Sequence, residues 1–312
     1  MEVFCVVNSV SDRVRNKFYV DQYMITSPNY NKENSKILTV GDIHYHENVN
    51  KEIYEMLLYY VITTKPDYIV MPGDFIETSG FLNDLKEREY FEYFLRTLAE
   101  ICPVIMTPGN HEIANFDTKR DRSDTMKVIK YFESLNKYKN IYFLNNEQTK
   151  IKDMMFLGFN PRLDYYFKYG TEEGNQMVME DYLKSGLKMN KDDYNILVSH
   201  INPDNYTDIP KTDLVIAGHW HDGYLIKKLD RFFEDTNKGL FITPFIPPHK
   251  GLVCRGMHDF GRGYLFVTQG FRKTTADIKL FNFFDKFTAN DVEEIIIQKS
   301  EDGTKSKVKV RK

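Results

Sequence analysis

The stretch Ile-Leu-Thr-Val-Gly-Asp-Ile-His at residues 37–44 joins an apolar run to side chains that can bind a metal ion. Four further segments repeat this pattern: YIVMPGD at 68–74, VIMTPGNHE at 104–112, ILVSH at 196–200 and LVIAGHWH at 214–221. Apolar runs without alternation predict strands buried on both faces of a mainly parallel sheet, whose ligand groups gather beyond the carboxyl ends of the strands. We therefore expect one polar site there, with glycines that let the backbone turn sharply.

The composition describes an ordinary globular protein. The chain has 312 residues, of which 42% are hydrophobic, and a formal net charge of −3. A charge so close to zero gives no strong field to attract nucleic acid or an anionic membrane. Cys5, Cys102 and Cys254 lie far apart and form no CxxC pair, so we expect no disulfide framework.

The ends of the chain suggest its location and boundaries. No apolar stretch approaches the roughly 20 residues that a transmembrane helix needs, so we expect a cytoplasmic protein. A basic C-terminus leaves open a peripheral contact with anionic lipid or nucleic acid, although a frayed, solvated tail is the simpler interpretation. Its basic residues are Lys305, Lys307, Lys309, Arg311 and Lys312. We expect an N-terminal extension over residues 1–35, one domain over 36–300 and a flexible basic tail over 301–312.

Apolar residues at helical spacing separate the predicted strands. They predict helices over residues 49–65, 81–101, 122–138 and 174–189. Further strands are predicted over residues 141–144, 154–159, 264–268 and 292–298. Because parallel strands need crossover connections, these helices should cover a face of the sheet. Beyond His221, prolines, glycines and short β-type runs predict a second, more antiparallel sheet packed on the first.

Most histidines lie at or just beyond a predicted strand end, as do Asp42, Asp74 and Asn110. These histidines are His44, His46, His111, His200, His219 and His221. Imidazole nitrogens with carboxylate and amide oxygens, and no thiolate, suit Mn, Fe, Zn or Co better than Mg or Ca. The donors suffice for two metal ions, which in two-metal hydrolases activate water and neutralise oxygens on phosphorus.

The same residues form one ordered series of motifs: Asp42-x-His44, Gly73-Asp74, Gly109-Asn110-His111-Glu112, His200 and Gly218-His219-x-His221. This series resembles the calcineurin-like metallophosphoesterases. The resemblance implies an α/β fold, an αββα four-layer sandwich of two mixed sheets with a dinuclear metal centre. It implies that Asp42, His44 and His221 bind one metal. It further implies that Asn110, His200 and His219 bind the other, with Asp74 bridging. His111 is implied to contact the substrate phosphate and protonate the leaving group.

The flanking sequence is most similar to the bacterial YkuE/YaeI-like phosphodiesterases. Residues 23–27 precede the first motif as they do in that group. The last motif is followed by a proline-rich loop at 244–248, by residues 261–264 and by a turn at Gly270. Two departures stand out. Trp220, Asp222 and Tyr224 replace the usual Thr, Gly and Gln, so we expect a reshaped substrate mouth, and residues 270–272 lack a second glycine.

Several other residues have a structural explanation that we prefer to a functional one. His46 matches no family position and is interpreted as a solvated loop histidine. Exposure to solvent explains His249 and His258 as well as any function does. For Arg162 and Arg272 we prefer ordinary surface ion pairs to phosphate binding. Core packing is likewise preferred to a lipid-binding platform for the aromatic residues Phe281, Phe283, Phe284 and Phe287.

Together these features predict a metal-dependent phosphoesterase that hydrolyses a phosphodiester or pyrophosphate bond in a small-molecule or lipid-linked substrate. Two alternatives stay open. A nuclease of the same superfamily is disfavoured by the near-neutral charge. A non-catalytic metal-binding scaffold is disfavoured because every ligand position is filled. A protein phosphatase is disfavoured too, since Asp74 is followed by Phe-Ile-Glu and the Asp-Arg-Gly usual in those enzymes is missing.

Overall fold

The structure is a computed structural model that describes residues 19–46, 51–113, 122–202, 212–221, 253, 255–259, 263–271 and 291–310. Its strands are β1 (Tyr19–Ser27), β2 (Asn34–Thr39), β3 (Tyr68–Pro72), β4 (Val104–Thr107), β5 (Ile141–Phe143), β6 (Glu147–Ile151), β7 (Met154–Gly158), β8 (Tyr194–Val198), β9 (Leu214–Ala217), β10 (Gly256–Asp259), β11 (Tyr264–Val267), β12 (Asp291–Lys299) and β13 (Ser306–Val310). Its helices are α1 (Lys51–Thr64), α2 (Leu85–Ile101), α3 (Asn110–Ile113), α4 (Arg122–Ser134), α5 (Leu163–Lys168) and α6 (Glu172–Ser185).

These strands form two mixed sheets. The first has the order β13-β1-β12-β2-β3-β4-β5, and the second has the order β10-β11-β9-β8-β7-β6. Strands β2 to β5 are parallel neighbours, and so are β7, β8, β9 and β11. The pairs β13–β1, β12–β2, β10–β11 and β6–β7 are antiparallel.

The sheets pack face to face, and helices cover their outer faces. Strand β3 shows why its sequence is apolar throughout: Tyr68 and Val70 lie in the core between the sheets, whereas Ile69 and Met71 lie in the core beneath the helices. Helices α1, α2 and α4 cover the first sheet, and α5 and α6 cover the second. The predicted αββα four-layer sandwich is confirmed.

Local capping explains where two predicted helices begin and end. The helix predicted over residues 81–101 begins later, as α2, because the side chain of Asp84 caps it by accepting a hydrogen bond from Glu87 N. A 3-10 turn over Ser79–Asn83 precedes it. Helix α6 begins after Thr171, which caps Gly174 N, and it ends at Gly186 in the left-handed conformation, with φ 71°. The predicted span of residues 174–189 was therefore displaced toward the C-terminus.

The predicted second sheet does pack on the first, but it has three parallel pairs and is not built from the strands after His221 alone. Strand β12 lies between β1 and β2 in the first sheet, and β11 extends the second sheet beside β9. Glu293 in β12 shows how a central strand accommodates a buried carboxylate. It accepts hydrogen bonds from Thr39 Oγ1, Thr268 Oγ1 and Gln269 N, and so joins segments distant in the sequence.

Two strands lie outside the predicted domain of residues 36–300. Strand β1, from the predicted extension, pairs with β12 and buries Ile25 between the sheets. Strand β13, from the predicted flexible tail, pairs with β1. Because these main-chain hydrogen bonds fix residues 306–310 as a strand, that part of the tail is ordered. The outer domain boundaries stay predictions, and Arg311 and Lys312 lie outside the described residues.

No helix in the described ranges is both long enough and apolar enough to cross a bilayer. Cys102 is buried and forms no disulfide, and burial raises the pKa of its thiol to about 12. Cys5 and Cys254 lie outside the described residues.

Candidate metal centre

The predicted site residues follow strands of both sheets. Asp42 and His44 follow β2, Asp74 follows β3, and Asn110 and His111 open α3 directly after β4. His200 follows β8, and His219 and His221 follow β9, in the other sheet. The site therefore spans two sheets, whereas the strand pattern had predicted a single, mainly parallel sheet.

Contacts between the two groups of loops bring the side chains together. His200 Nε2 lies 3.0 Å from Asp74 Oδ2, and His221 Nε2 lies 3.4 Å from Asp42 Oδ1. His200 Nδ1 donates to Pro72 O at 2.7 Å, since a carbonyl only accepts. His219 N donates to Asp42 Oδ1 at 3.1 Å. Every contact here joins a residue of one sheet to a residue of the other.

The backbone is strained at the candidate ligands themselves. Positive φ angles occur at Asp42 (54°), His44 (46°), Asp74 (54°), His219 (76°) and His221 (47°). Such conformations cost a non-glycine residue about 1–3 kcal/mol each and cluster at functional sites. Five of the nine non-glycine residues with positive φ in the described chain are thus candidate ligands.

The glycines before the ligands mainly provide space. Gly73 has a φ of 82° and so makes the expected sharp turn, and a Cβ there would also lie 2.6 Å from His200 Nδ1. A Cβ on Gly109 would lie 2.2 Å from Asp74 Oδ1, although its φ is not in the left-handed region. The expectation that these glycines let the backbone turn sharply therefore holds for Gly73, whereas Gly109 mainly leaves room for Asp74.

Candidate ligand atoms form three overlapping groups, and within each group all atoms lie within 4.8 Å of one another. The groups are Asp42, His44 and His221; Asp74, His200 and His219; and His44, Asp74 and His111. The first group is the set that the resemblance implied for one metal. The second contains two residues of the other implied set, whose third member contacts it: Asn110 Oδ1 lies 3.0 Å from His200 Nε2.

Asp74 lies between the groups. Its Oδ2 is 3.6 Å from His44 Nε2 and 3.0 Å from His200 Nε2. Burial alone would raise its pKa, but the neighbouring histidines, His200 and His111 above all, hold the pKa of Asp74 well below its usual range. The carboxylate is thus ionised and faces imidazoles on both sides.

The chemistry of these donors fits divalent transition metals. The side chains of Asp42, His44 and His200 are fully buried, and burial raises the pKa of Asp42. Burial alone would lower the pKa of His200, but Asp74 and Asp42 raise it to about 9. Two buried carboxylates therefore require positive charge nearby, and divalent cations bound to imidazole and carboxylate would supply it.

Glu77 orients two histidines of the site. His111 Nδ1 donates to the main-chain oxygen of Glu77 at 2.8 Å, so the other ring nitrogen, Nε2, faces the site 4.0 Å from Asp74 Oδ2. The Glu77 carboxylate lies 3.3 Å from His44 Nδ1. Burial alone would lower the pKa of His111, but Asp74 and Glu77 raise it above its ordinary value. Sequence reasoning gave Glu77 no role, because its contact with His111 uses a main-chain oxygen that any residue type carries.

Glu112 connects the loops that follow β3 and β4. Its carboxylate accepts hydrogen bonds from the main-chain N–H groups of Asp74 (2.9 Å), Phe75 (2.8 Å), Ile76 (3.2 Å) and Gly109 (2.8 Å). The side chain is buried, and this burial and the charge of Asp74 raise its pKa to about 7. The sequence placed Glu112 in a motif without giving it a function, and the structure shows that it fixes the backbone of that motif.

Tyr166 on α5 is a further neighbour that the sequence did not indicate. Its ring centroid lies 5.1 Å from that of His219, edge to face, and 6.1 Å from that of His200. Its hydroxyl oxygen is buried, and burial and the charge of Asp74 raise its pKa well above the usual value. The pattern of polar residues after strands could not have found it, because it lies on a helix.

Four of the remaining predictions fall on described residues. Arg162 pairs with Asp181 at 2.5 Å, which confirms an ordinary ion pair. His46 is half-buried and lies outside the three ligand groups found in the described chain. His258 is buried in β10 and its Nε2 donates to Arg255 O at 2.6 Å, so the solvent-exposed interpretation is wrong.

Trp220 is buried and donates to Asn202 Oδ1 at 2.6 Å, so it does not line a substrate mouth as expected. The other residues named in the sequence predictions lie outside the described part of the chain. They are Asp222, Tyr224, residues 244–248, His249, Arg272, Phe281, Phe283, Phe284 and Phe287.

Comparison with known proteins identifies the family. The family model for calcineurin-like phosphoesterases matches residues 35–223, which is more than half of the chain. The chain belongs to the calcineurin-like phosphoesterase family. It is also 24% identical over 227 residues to an uncharacterised metallophosphoesterase of Campylobacter jejuni. That alignment covers 72% of this chain and 54% of the relative, so the chain spans about half the length of that curated protein.

Three solved structures show a distant likeness. The phosphopantetheinyl hydrolase of Mycobacterium tuberculosis has 12% identity and a TM-score of 0.38, covering 75% of this chain and 89% of that one. A dimetal phosphatase from Danio rerio has 12% identity and a TM-score of 0.34, with coverages of 77% and 88%. A nuclease from Pseudomonas putida has 14% identity and a TM-score of 0.26, with coverages of 59% and 61%. The family assignment rests on the match of the family model over residues 35–223.

Proposed function

We propose that this family member is a dinuclear metal-dependent phosphoesterase that hydrolyses a phosphodiester or pyrophosphate bond in a small-molecule or lipid-linked substrate. One observation carries the proposal: candidate ligands from two sheets converge on two buried groups, and Asp74 lies between them. A fold without such a site would have no reason to bury two carboxylates and two histidines, Asp42, Asp74, His44 and His221, together at strained backbone positions.

Each side chain receives a role in this proposal. Asp42, His44 and His221 would hold one cation, and Asp74 would bridge to the second. Asn110, His200 and His219 would complete the second position. When bound, the two cations would activate water for attack on phosphorus and neutralise the phosphoryl oxygens. Manganese is our preferred candidate among the metals that suit imidazole and carboxylate donors.

His111 would serve as the general acid. Because Nδ1 donates to the main-chain oxygen of Glu77, the proton for the leaving group must come from Nε2, which faces the site. The carboxylates of Asp74 and Glu77 favour the protonated ring. Glu77 would therefore fix both the direction and the protonation of the acid.

The bond type rests on the sequence. Residues 75–77 lack the signature of the protein phosphatases, and the flanks are similar to YkuE/YaeI-like phosphodiesterases. The formal net charge of −3 does not favour nucleic acid as the substrate. We therefore place a soluble small molecule or a lipid-linked nucleotide, met in the cytoplasm, ahead of DNA or RNA.

A substrate screen tests this proposal. Manganese-loaded protein would be assayed on phosphomonoesters, aryl and alkyl phosphodiesters, nucleotide sugars, cyclic nucleotides and single-stranded DNA, with His111→Ala as the matched control. We expect turnover of diesters or pyrophosphates to exceed that of monoesters and to depend on His111. A preference for monoesters or for DNA would replace the proposed substrate class, and no turnover by fully loaded protein would support the scaffold alternative.

A further inference from the structure

Tyr166 carries a polar group that the proposed function leaves without a role. Helix α5 places its ring against His219 and His200, the imidazoles assigned to the second cation. The hydroxyl oxygen is buried and makes no hydrogen bond within the described part of the chain. Buried hydroxyl groups are normally hydrogen-bonded, because losing water without a replacement partner is unfavourable. The hydroxyl of Tyr166 therefore has the capacity to donate a hydrogen bond to a bound ligand.

Two neighbouring tyrosines sharpen the contrast. Tyr165, the preceding residue of α5, donates its hydroxyl hydrogen to Asn202 O at 3.3 Å. Tyr169 accepts a hydrogen bond from Asn202 Nδ2 at 2.7 Å. The fold thus provides protein partners for both of these hydroxyl groups. Tyr166, whose ring contacts the histidines of the site, is the member of the trio without a partner among the described residues.

The surroundings indicate which ligand the hydroxyl would bind. A tyrosine hydroxyl is ordinarily neutral near pH 7 and can donate one hydrogen bond, and the ring contacts place this one beside His219 and His200. A donor beside a metal position suits an anionic oxygen held by that metal, because hydrogen bonds to charged acceptors are the stronger ones. In a phosphoesterase that oxygen belongs to the phosphoryl group.

We propose that Tyr166 Oη donates a hydrogen bond to a phosphoryl oxygen of the substrate on the side of the site formed by His200 and His219. This inference rests on the proposed function, since it requires a phosphoryl group at the metal centre. It assigns a substrate-binding residue on helix α5, in addition to the proposed metal ligands and the proposed general acid His111. The contact would help to orient the phosphorus for in-line attack.

The test compares Tyr166→Phe with Tyr165→Phe, which removes a hydroxyl from the same helix. Metal content would be measured by elemental analysis, and affinity for inorganic phosphate by calorimetry on manganese-loaded protein. We expect Tyr166→Phe to keep both metals and to weaken phosphate binding about 10- to 100-fold, the usual effect of losing a hydrogen bond to a charged group. We expect Tyr165→Phe to keep its phosphate affinity.

Thermal unfolding of the metal-free variants separates binding from folding. Tyr166→Phe removes a hydroxyl without a partner, so its Tm should stay the same or rise, whereas Tyr165→Phe loses a hydrogen bond and its Tm should fall. Unchanged phosphate affinity in fully loaded Tyr166→Phe would overturn the inference, and so would loss of metal, which would make Tyr166 a support for His219. If wild-type protein binds phosphate through Tyr166 but hydrolyses no phosphoester, the proposed function fails and the contact stands.

Discussion

The loops of the first sheet and those of the second contribute to the centre in different ways. First-sheet loops are joined by main-chain hydrogen bonds, from Asp42 N to Gly73 O and from His44 N to Asp74 O, and Glu112 fixes the next loop. Within the described residues, the second-sheet loops supply imidazoles alone as candidate ligands. Two of these, His200 and His219, are positioned by hydrogen bonds to the first sheet. The first-sheet loops, which carry the oxygen ligands, are therefore held by hydrogen bonds among themselves. The second-sheet loops, which carry imidazoles, are held by hydrogen bonds to the first-sheet loops.

This difference predicts unequal effects of mutation. A change in a first-sheet loop should disturb both metal positions, because Asp42 is a candidate ligand and also accepts a hydrogen bond from His219 N. A change in a second-sheet loop should disturb mainly the position nearest to it. The following experiments test this asymmetry.

The largest effect should come from Asp74→Asn, compared with His200→Ala in the second sheet. Loss of a residue that hydrogen-bonds to a metal ligand costs about 10- to 100-fold in metal affinity. Loss of a bridging ligand should therefore cost more, and it should affect both metal positions. His200→Ala should deplete mainly one. Elemental analysis of both purified variants measures this, and full two-metal loading of Asp74→Asn would remove the bridging role.

The next largest effect should come from His111, which lies in a first-sheet loop but is not assigned as a metal ligand. His111→Ala should keep both metals and lose about 10²–10⁴-fold in turnover, as is typical for a general acid. The loss should be smaller on an aryl diester than on an alkyl diester, because a nitrophenolate needs little protonation. Equal losses at matched metal content would leave His111 as a residue that only positions phosphate.

Stability should separate the two halves directly. Glu112→Ala would leave four main-chain N–H groups without their acceptor and should lower the free energy of unfolding by about 3–5 kcal/mol. Asn202→Ala loses side-chain hydrogen bonds to Trp220 and Tyr169, and should lower it by about 1–2 kcal/mol.

Urea unfolding of the metal-free wild type and variants measures these free energies. It would be done at pH 8, where the Glu112 carboxyl of the wild type is ionised because its pKa is about 7. An Asn202→Ala variant as unstable as Glu112→Ala would show that the second half does not depend on the first in this way.

The smallest effect is proton competition at His200. Its pKa of about 9 means that the metal-free imidazole is protonated at pH 7, although burial alone would lower that pKa. Because a ligand imidazole must be neutral, manganese affinity should rise with pH, by up to about tenfold per unit below pH 9 for one displaced proton. Calorimetry at pH 6, 7 and 8 measures the slope, and an affinity independent of pH would contradict a histidine-rich site.

Sequence reasoning was strongest where the signal was local. Residues such as Asp42 and Asp74 directly follow buried strands, and the carboxyl ends of parallel strands meet at one edge whatever the strand order. Strands without alternation indicated only that both of their faces are covered, whereas the four-layer class came from the resemblance of the motifs to the family.

Features set by distant contacts could not be predicted in the same way. Glu293 in β12 accepts a hydrogen bond from Thr39, 254 positions away in the chain, and no local pattern assigns that strand to the first sheet. Tyr166 reaches the site through the packing of α5 and is not placed there by a strand end. Glu77 acts on His111 through its main-chain oxygen, which any residue type carries.

Anomalous diffraction from manganese-soaked crystals tests whether the two sheets jointly form one dinuclear centre. We expect two peaks about 3.5–4 Å apart on either side of the Asp74 carboxylate. One peak should lie among Asp42, His44 and His221, and the other among Asn110, His200 and His219. A single peak, or a pair placed on the residues of one sheet alone, would contradict it.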